Sequence, residues 1–262
     1  MINIKKIKTY LLLIILLINI VSVAPSYSLT QREDSFKNAL DLTSSGNFNL
    51  ALKEWNIYLN LFNNDAAAFS NRGNVKLIIG DIEGAIDDQD KAINLNPDDL
   101  DPYINRGIAK EALGLWLSAK KDYLFVISRD NNNFSALYNL ANVEGSLSNW
   151  ENARELFSKA AEYNTGFAMA RSSMALADYQ LGNIDESEKE LKNLIRRYPN
   201  FADARASLTA LNWSKGLSGQ ADSNWISVIE LDPRYSDEEW LTKVRRWPPQ
   251  PTKDLMKFIA LK

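Results

Sequence analysis

The feature of this chain that most restricts its fold is an internal repeat with a period of 34 residues. One column of the repeat holds Gly in five of its six copies and Ser in the other, and two further columns hold small residues. The members of the first column are Gly46, Gly80, Gly114, Ser148, Gly182 and Gly216. A fixed period without insertion or deletion predicts an array of similar units that bury a continuous core by stacking.

Each unit is predicted to be a pair of helices. Between the small columns the apolar residues recur at helical spacing, as in Leu137, Leu140 and Ala141. The Gly column provides a left-handed turn after the first helix, and Pro97 and Pro199 stop second helices. The units are expected to span residues 32–65, 66–99, 100–133, 134–167, 168–201 and 202–235.

Two segments of the chain, FSNRGNVKLIIGDIEGAIDDQDKAINLNPDD (69–99) and YINRGIAKEALGLWLSAKKDY (103–123), resemble tetratricopeptide repeats. The likeness extends over all six units. It implies an all-α, right-handed superhelical solenoid of six helical hairpins at 29–235, with C-terminal capping helices at 236–262. The chain departs from the family pattern at repeat position 11, where Lys76, Lys110 and Glu144 stand in place of a large apolar residue.

Residues 1–28 have the pattern of a secretory signal peptide. A lysine-rich start is followed by an apolar run from Leu11 to Ala24 and then by small residues up to Ser28. We therefore expect export, to the periplasm or the thylakoid lumen, with cleavage after Ser28. The alternative is an uncleaved anchor, which would be the protein's only attachment to a membrane.

Composition excludes several classes of function. The chain has no cysteine and no histidine, which excludes Ser-His-Asp and Cys-His catalysis and zinc sites built on those residues. A pI near 5.3 argues against a nucleic acid partner, because phosphate binding needs a basic surface. We predict a protein that is not an enzyme, with no catalytic residues, metal or cofactor. An acidic cluster is interpreted as solvated helix faces rather than a calcium site; it comprises Asp81, Glu83, Asp87, Asp88 and Asp90.

The predicted binding surface is the concave face of the solenoid. Positions 2, 5, 9 and 12 of each first helix share one face, so a protein segment, extended or helical, is expected to dock there. About half of these residues are expected to pack between repeats instead. The candidate groove residues are Phe36, Leu40, Ile104, Ile108, Tyr138, Asn142, Leu176, Tyr179 and Trp213. Trp150, at position 17, is expected at a hairpin corner as part of the core.

One known binding mode of the resembled family is not expected here. Members that hold the C-terminal tails of heat-shock chaperones use Asn at position 6 of one repeat and Lys and Arg at positions 2 and 6 of the next. Asn71 matches the first requirement, but Asp101 and Asn105 occupy the other two positions. Because Asp101 would repel a carboxylate, the sequence predicts no such clamp.

The C-terminal region no longer follows the repeat. Ser236 and Glu239 form a capping box that predicts a seventh helix over the open face of the sixth hairpin, and Thr252 is expected to cap a short final helix. The segment DPRYSDEEWLTKVRRWPP resembles the ends of exported repeat proteins from photosynthetic bacteria and chloroplasts. That resemblance implies a role in the assembly of photosynthetic membrane complexes.

Together these features predict a non-enzymatic exported scaffold that binds a protein partner, with two alternative functions left open. A membrane-complex subunit is a candidate partner. A cell-wall glycan enzyme or its accessory is the first alternative, with Glu144 as the nearest candidate acid. Self-association into a homo-oligomer, through an exposed end formed by Trp247 and Phe258, is the second.

Overall fold

A computed structural model describes residues 29–262, so the predicted signal peptide at 1–28 lies outside the described residues. All regular secondary structure in the described part is helical, and no strand occurs there. The prediction of an all-α fold built from helical hairpins is confirmed. Within residues 29–262, no helix is long and apolar enough to cross a membrane.

The chain divides into two compact units, of which the first ends at Asn63. Its described part is one hairpin, formed by α1 (Leu29–Ser44) and α2 (Phe48–Leu61). Trp55 is fully buried between the two helices, with the ring of Phe36 at 5.0 Å from its own. The large side chain of α2 is thus the centre of this hairpin.

The second unit spans Asn64–Lys262 and contains five hairpins and a C-terminal segment. Each hairpin pairs two helices of 12 to 14 residues with a short turn, as the repeat predicts. The hairpins are α3 (Ala66–Ile78) with α4 (Ile82–Leu95), α5 (Asp101–Ala112) with α6 (Trp116–Arg129), α7 (Phe134–Ser146) with α8 (Trp150–Tyr163), α9 (Ala168–Leu181) with α10 (Ile184–Arg197), and α11 (Ala202–Ser214) with α12 (Ser218–Leu231).

The first helix of each hairpin ends in a left-handed turn at the Gly column. At Gly182, φ is +84°, and the N–H groups of Gly182 and Asn183 donate to the carbonyls of Tyr179 and Asp178. These two bonds satisfy carbonyls that the end of a helix leaves without partners. Ser148 adopts the same turn with φ +62°, a conformation that costs a residue with a Cβ atom about 1–2 kcal/mol.

The small columns allow the two helices of a hairpin to approach closely. A Cβ atom at Gly107 would lie 2.5 Å from the ring of Tyr123, so only glycine leaves room for that ring. Ala119 and Ala153, in the second small column, are fully buried. Close approach of the helices and burial of the bulky column therefore depend on each other.

The C-terminal segment differs from its prediction. Asp237, not Ser236, caps the helix after the sixth hairpin, because its side chain accepts from the N–H of Trp240 at 3.2 Å. That helix continues only as one π-helical turn, Trp240–Val244, and Arg246 (φ +56°) then reverses the chain. The final helix, α13 (Pro249–Ile259), begins three residues before Thr252, the predicted cap.

Candidate protein-binding groove

First helices of neighbouring hairpins in the second unit pack beside one another. Helix α3 contacts α5, α5 contacts α7, and α9 contacts α11, so the face predicted for binding is shared by successive repeats. The C-terminal segment lies on this face rather than on the end of the last hairpin, because α13 packs on α11 and α9. The chain thus covers the last part of its own groove.

Asp203 is the main attachment point of the C-terminal segment. It occupies position 2 of the last repeat and is 1% exposed. One carboxylate oxygen accepts from Arg245 (2.6 Å), Tyr235 (2.8 Å) and Trp247 (3.2 Å), and the other accepts from Ser172 (2.6 Å). A buried carboxylate is tolerated only when it is paired and hydrogen-bonded in this way.

The surroundings of Asp203 keep it ionised. Burial alone would raise its pKa, but the charge of Arg245 and the hydrogen bonds from Ser172, Arg245 and Tyr235 lower the pKa below the ordinary value of 3.8. The carboxylate is therefore charged at neutral pH and pairs with Arg245 as an ion. Charge-assisted hydrogen bonds of this kind are about twice as strong as neutral ones.

A second attachment joins the segment to the third repeat. Arg246 pairs with Glu111, which occupies position 12 of that repeat and is 3% exposed. The hydroxyl of Tyr123 donates to the other oxygen of Glu111. Burial raises the pKa of Glu111, and the charge of Arg246 offsets only part of this effect.

Helix α13 is attached through polar and apolar contacts. Tyr179 donates its hydroxyl to Asp254 (3.0 Å), and the backbone N–H of Gln250 donates to the side chain of Gln180 (2.8 Å). Phe258 is 1% exposed and packs edge-on against Trp213, with ring centroids 5.8 Å apart. The segment is therefore part of the core of the second unit.

This packing corrects the predicted self-association surface. Trp247 and Phe258 were expected at an exposed end of the solenoid, but they are 4% and 1% exposed. Both side chains are covered by the last two hairpins. Neither is available to a second molecule in this structure.

The nine predicted groove residues fall into three groups. Phe36 and Leu40 belong to the first unit, where Phe36 packs against Trp55 and Leu40 is exposed. A second group is covered by hairpin packing or by the C-terminal segment, which corrects their assignment as open ligand contacts; it comprises Ile104, Leu176, Tyr179 and Trp213. The structure brings the remaining three, Ile108, Tyr138 and Asn142, together.

Those three residues line an opening of about 210 Å³. Ile108 is 36% exposed, and Tyr138 and Asn142 are half-buried. The rest of the wall includes Glu111, Asn139 and the chain around Arg246. The opening therefore lies beside the point at which the C-terminal segment reverses direction, at Arg246.

Two sequence models of the tetratricopeptide repeat match the chain, one over residues 66–99 and the other over residues 146–211. Both matches agree with the hairpins described above. The chain is a tetratricopeptide-repeat protein. No curated protein matches this repeat protein in sequence.

Solved structures resemble this tetratricopeptide-repeat protein in fold. PilF of Pseudomonas aeruginosa has a TM-score of 0.69 and 15% identity, over 88% of this chain and 97% of PilF. A tetratricopeptide repeat protein from Parabacteroides merdae has a TM-score of 0.63 and 18% identity, over 87% of this chain and 98% of its own. YrrB, described as having an unusual peptide-binding site, has a TM-score of 0.53 and 20% identity, over 68% and 92%. At these identities the likeness shows the fold alone.

The two lysines at position 11 of this repeat protein are paired inside their own hairpins, whereas Glu144 pairs with Lys120 of the preceding hairpin. Lys76 lies 2.9 Å from Asp88, which Arg72 also binds at 2.7 Å. Lys110 repeats the arrangement with Asp122 at 2.7 Å. Asp88 is therefore fully buried and ion-paired, which corrects its interpretation as part of a solvated acidic face.

Glu144, the candidate acid of the glycan alternative, does not have the required environment. Burial would raise its pKa, but hydrogen bonds from Lys120 and Asn149 lower the pKa below its ordinary value. A general acid of a glycosidase needs a raised pKa. Glu111 has one, but both of its oxygens are bound by Tyr123 and Arg246.

Sequence reasoning missed the two acids that hold the C-terminal segment. Asp203 and Glu111 occupy groove positions 2 and 12, the same face from which the candidate residues were selected. The available signal was the pair Arg245 and Arg246 in a segment without a repeat partner. Acids on the groove face, together with two adjacent arginines outside the repeats, indicate that the C-terminal segment forms ion pairs with the groove.

Proposed function

We propose that this repeat protein is a non-enzymatic scaffold that binds a protein partner in the part of its groove that the C-terminal segment leaves open. The observation that carries the proposal is the opening lined by Ile108, Tyr138 and Asn142, next to groove positions that are filled. Tetratricopeptide repeats generally serve protein interaction rather than catalysis, which supports the same conclusion.

The chemistry of the opening favours an extended segment. The side-chain amides of Asn139 and Asn142 make no hydrogen bond within residues 29–262, and each offers both a donor and an acceptor. These groups match the N–H and C=O groups of an extended peptide backbone, which a helix would keep for itself. Ile108 and Tyr138 provide apolar surface for a side chain of the partner.

The test is affinity capture with two matched double variants of the full chain. Asn139→Ala with Asn142→Ala removes the free amides, and Asn131→Ala with Asn132→Ala removes two exposed amides from the turn before α7. We expect the wild type and the turn variant to retain the same proteins from an extract of the source cells, and the groove variant to lose them. Retention by all three proteins, at equal helical content, would contradict the groove assignment.

We also propose that residues 1–28 direct export to the periplasm or the thylakoid lumen, where the partner is a subunit of a photosynthetic membrane complex. The lysine-rich, apolar and small segments of that sequence support export, and the resemblance of the C-terminal region supports assembly. Cell fractionation with N-terminal sequencing should recover a chain that begins at Leu29 from the exported fraction. An intact chain in the cytosol would contradict this proposal.

A further inference from the structure

A second and larger opening in the second unit meets the groove opening at Arg246. It has a volume of about 780 Å³ and lies between the corner that joins α7 to α8 and the C-terminal segment. Pockets that bind ligands typically measure roughly 300–1,000 Å³, so this opening has room for a short peptide segment. It exists only because the C-terminal segment folds back on the repeats.

Two strained residues line this cavity. Within residues 29–262, Ser148 and Arg246 alone among residues other than glycine have a positive φ, +62° and +56°. Both face the same cavity, one from each wall. Ser148 replaces the glycine that stands at this turn in the other five repeats. Strained backbone is retained mainly where function requires it, so its coincidence with this cavity favours a binding site.

The walls combine apolar surface with unpaired positive charge. Trp150 and Met256 are half-buried in the cavity wall. The ring of Trp150 packs directly on Gly145, where a Cβ atom would lie 2.8 Å from it. Lys253 and Lys257 are exposed on the second and last turns of α13. Neither lysine makes an ion pair in the part of the chain that the structure describes.

The charge balance of the cavity selects the ligand. Arg246 is neutralised by Glu111, which leaves Lys253 and Lys257 against one acid of the lining, the exposed Glu238. A ligand with carboxylates next to an apolar side chain would pair with the lysines and pack on Trp150. A basic ligand would be repelled, and a purely apolar one would leave the lysines unpaired.

We propose that this cavity is a second protein-binding site, for an acidic segment of a partner that carries an aromatic or long aliphatic residue. It goes beyond the proposed function, because Arg246 alone is common to the lining of this cavity and that of the Asn139 and Asn142 opening. A partner seated in both places would contact the repeats and the C-terminal segment together. The two sites can be tested separately with the variants named here.

The test measures binding of a fluorescein-labelled peptide in which one phenylalanine is flanked by two aspartates on each side. Its controls are the same peptide with alanine for phenylalanine and with asparagine for aspartate. The full chain is compared with the double variant Lys253→Gln with Lys257→Gln, by fluorescence anisotropy. A matched control, Lys121→Gln with Lys189→Gln, removes two exposed lysines that lie outside the cavity.

We expect the cavity variant to weaken binding by about tenfold and the matched control to leave it unchanged. Both control peptides should bind at least about tenfold more weakly than the parent peptide. Equal binding to wild type and cavity variant would overturn the proposal. Equal binding of the alanine peptide would also overturn it, by reducing the interaction to non-specific charge attraction. The Asn139 and Asn142 variant should bind the peptide normally, whatever its result in affinity capture.

Discussion

Position 9 of three successive repeats shows how the two ends of the second unit differ. Ile108 and Asn142 stand there in the third and fourth repeats and face an opening, whereas Leu176 stands there in the fifth and is 2% exposed. The repeat pattern places all three on one face, yet Leu176 lies beside Arg245 and Pro248 of the C-terminal segment, which restricts the access of a ligand to it. The accessible surface of a solenoid therefore depends on the part of the chain that does not repeat.

The charges of the two ends follow the same division. In the second repeat, buried ions pair within one hairpin, as Asp88 does with Arg72 and Lys76. In the sixth repeat, the buried Asp203 pairs with Arg245 of the C-terminal segment. The first arrangement stabilises a repeat, and the second fixes the segment in the groove.

The largest effect is expected from Phe258→Ala, because Phe258 is the apolar anchor of α13 and is 1% exposed. Removal of the ring should lower the free energy of unfolding by about 4 kcal/mol. Leu124 lies in α6 of the third repeat and is 45% exposed, so Leu124→Ala should cost less than about 1 kcal/mol. Urea unfolding followed by circular dichroism measures both. Similar losses would show that the segment is only loosely attached.

A slightly smaller effect is expected from Asp203→Ala, which leaves Arg245 buried without its partner. The free energy of unfolding should fall by about 3 kcal/mol. The matched change at the other end is Asp90→Ala, since Asp90 also pairs with an arginine but its side chain is 47% exposed. That change should cost at most about 1 kcal/mol. Unfolding of the two variants at the same urea concentration would contradict the stronger contribution of the buried ion pair.

The pH dependence of stability should also separate Asp203 from exposed acids. Its pKa in the folded protein lies below the ordinary 3.8, so its contribution is fully present above the unfolded-state pKa and is lost as pH falls through the folded-state value. The stability difference between wild type and Asp203→Asn should be largest near neutral pH and shrink below about pH 4. A difference independent of pH from 7 to 2 would contradict the ion pair.

The smallest effect is expected at the strained corner. Ser148→Gly should raise the free energy of unfolding by about 1 kcal/mol, because glycine adopts a φ of +62° without the cost that a side chain adds. Gly114→Ser, at the equivalent turn of the third repeat, should lower it by about the same amount. Thermal unfolding of the two variants checks the signs. A loss of stability in Ser148→Gly would mean that the serine hydroxyl has a structural role.

The hairpins could be predicted from sequence because each of their signals is repeated. The Gly turn and the bulky column around Trp55 recur every 34 residues and agree with the helices observed. The path of the C-terminal segment could not be predicted in this way, because it occurs once. Its attachment joins Arg246 to Glu111, which are 135 residues apart, and no local pattern specifies such a pair. The charges at position 11 became interpretable only when Lys76 was seen beside Asp88.

The most direct test of the divided groove is the reactivity of single cysteines at position 9. The chain contains no cysteine, so Ile108→Cys and Leu176→Cys each introduce one thiol at the same place in two repeats. The rate of labelling by a maleimide measures the access of solvent to each thiol in the folded protein. We predict rapid labelling at position 108 and labelling at 176 only when the protein unfolds. Equally rapid labelling at both positions would show that the C-terminal segment does not cover the groove.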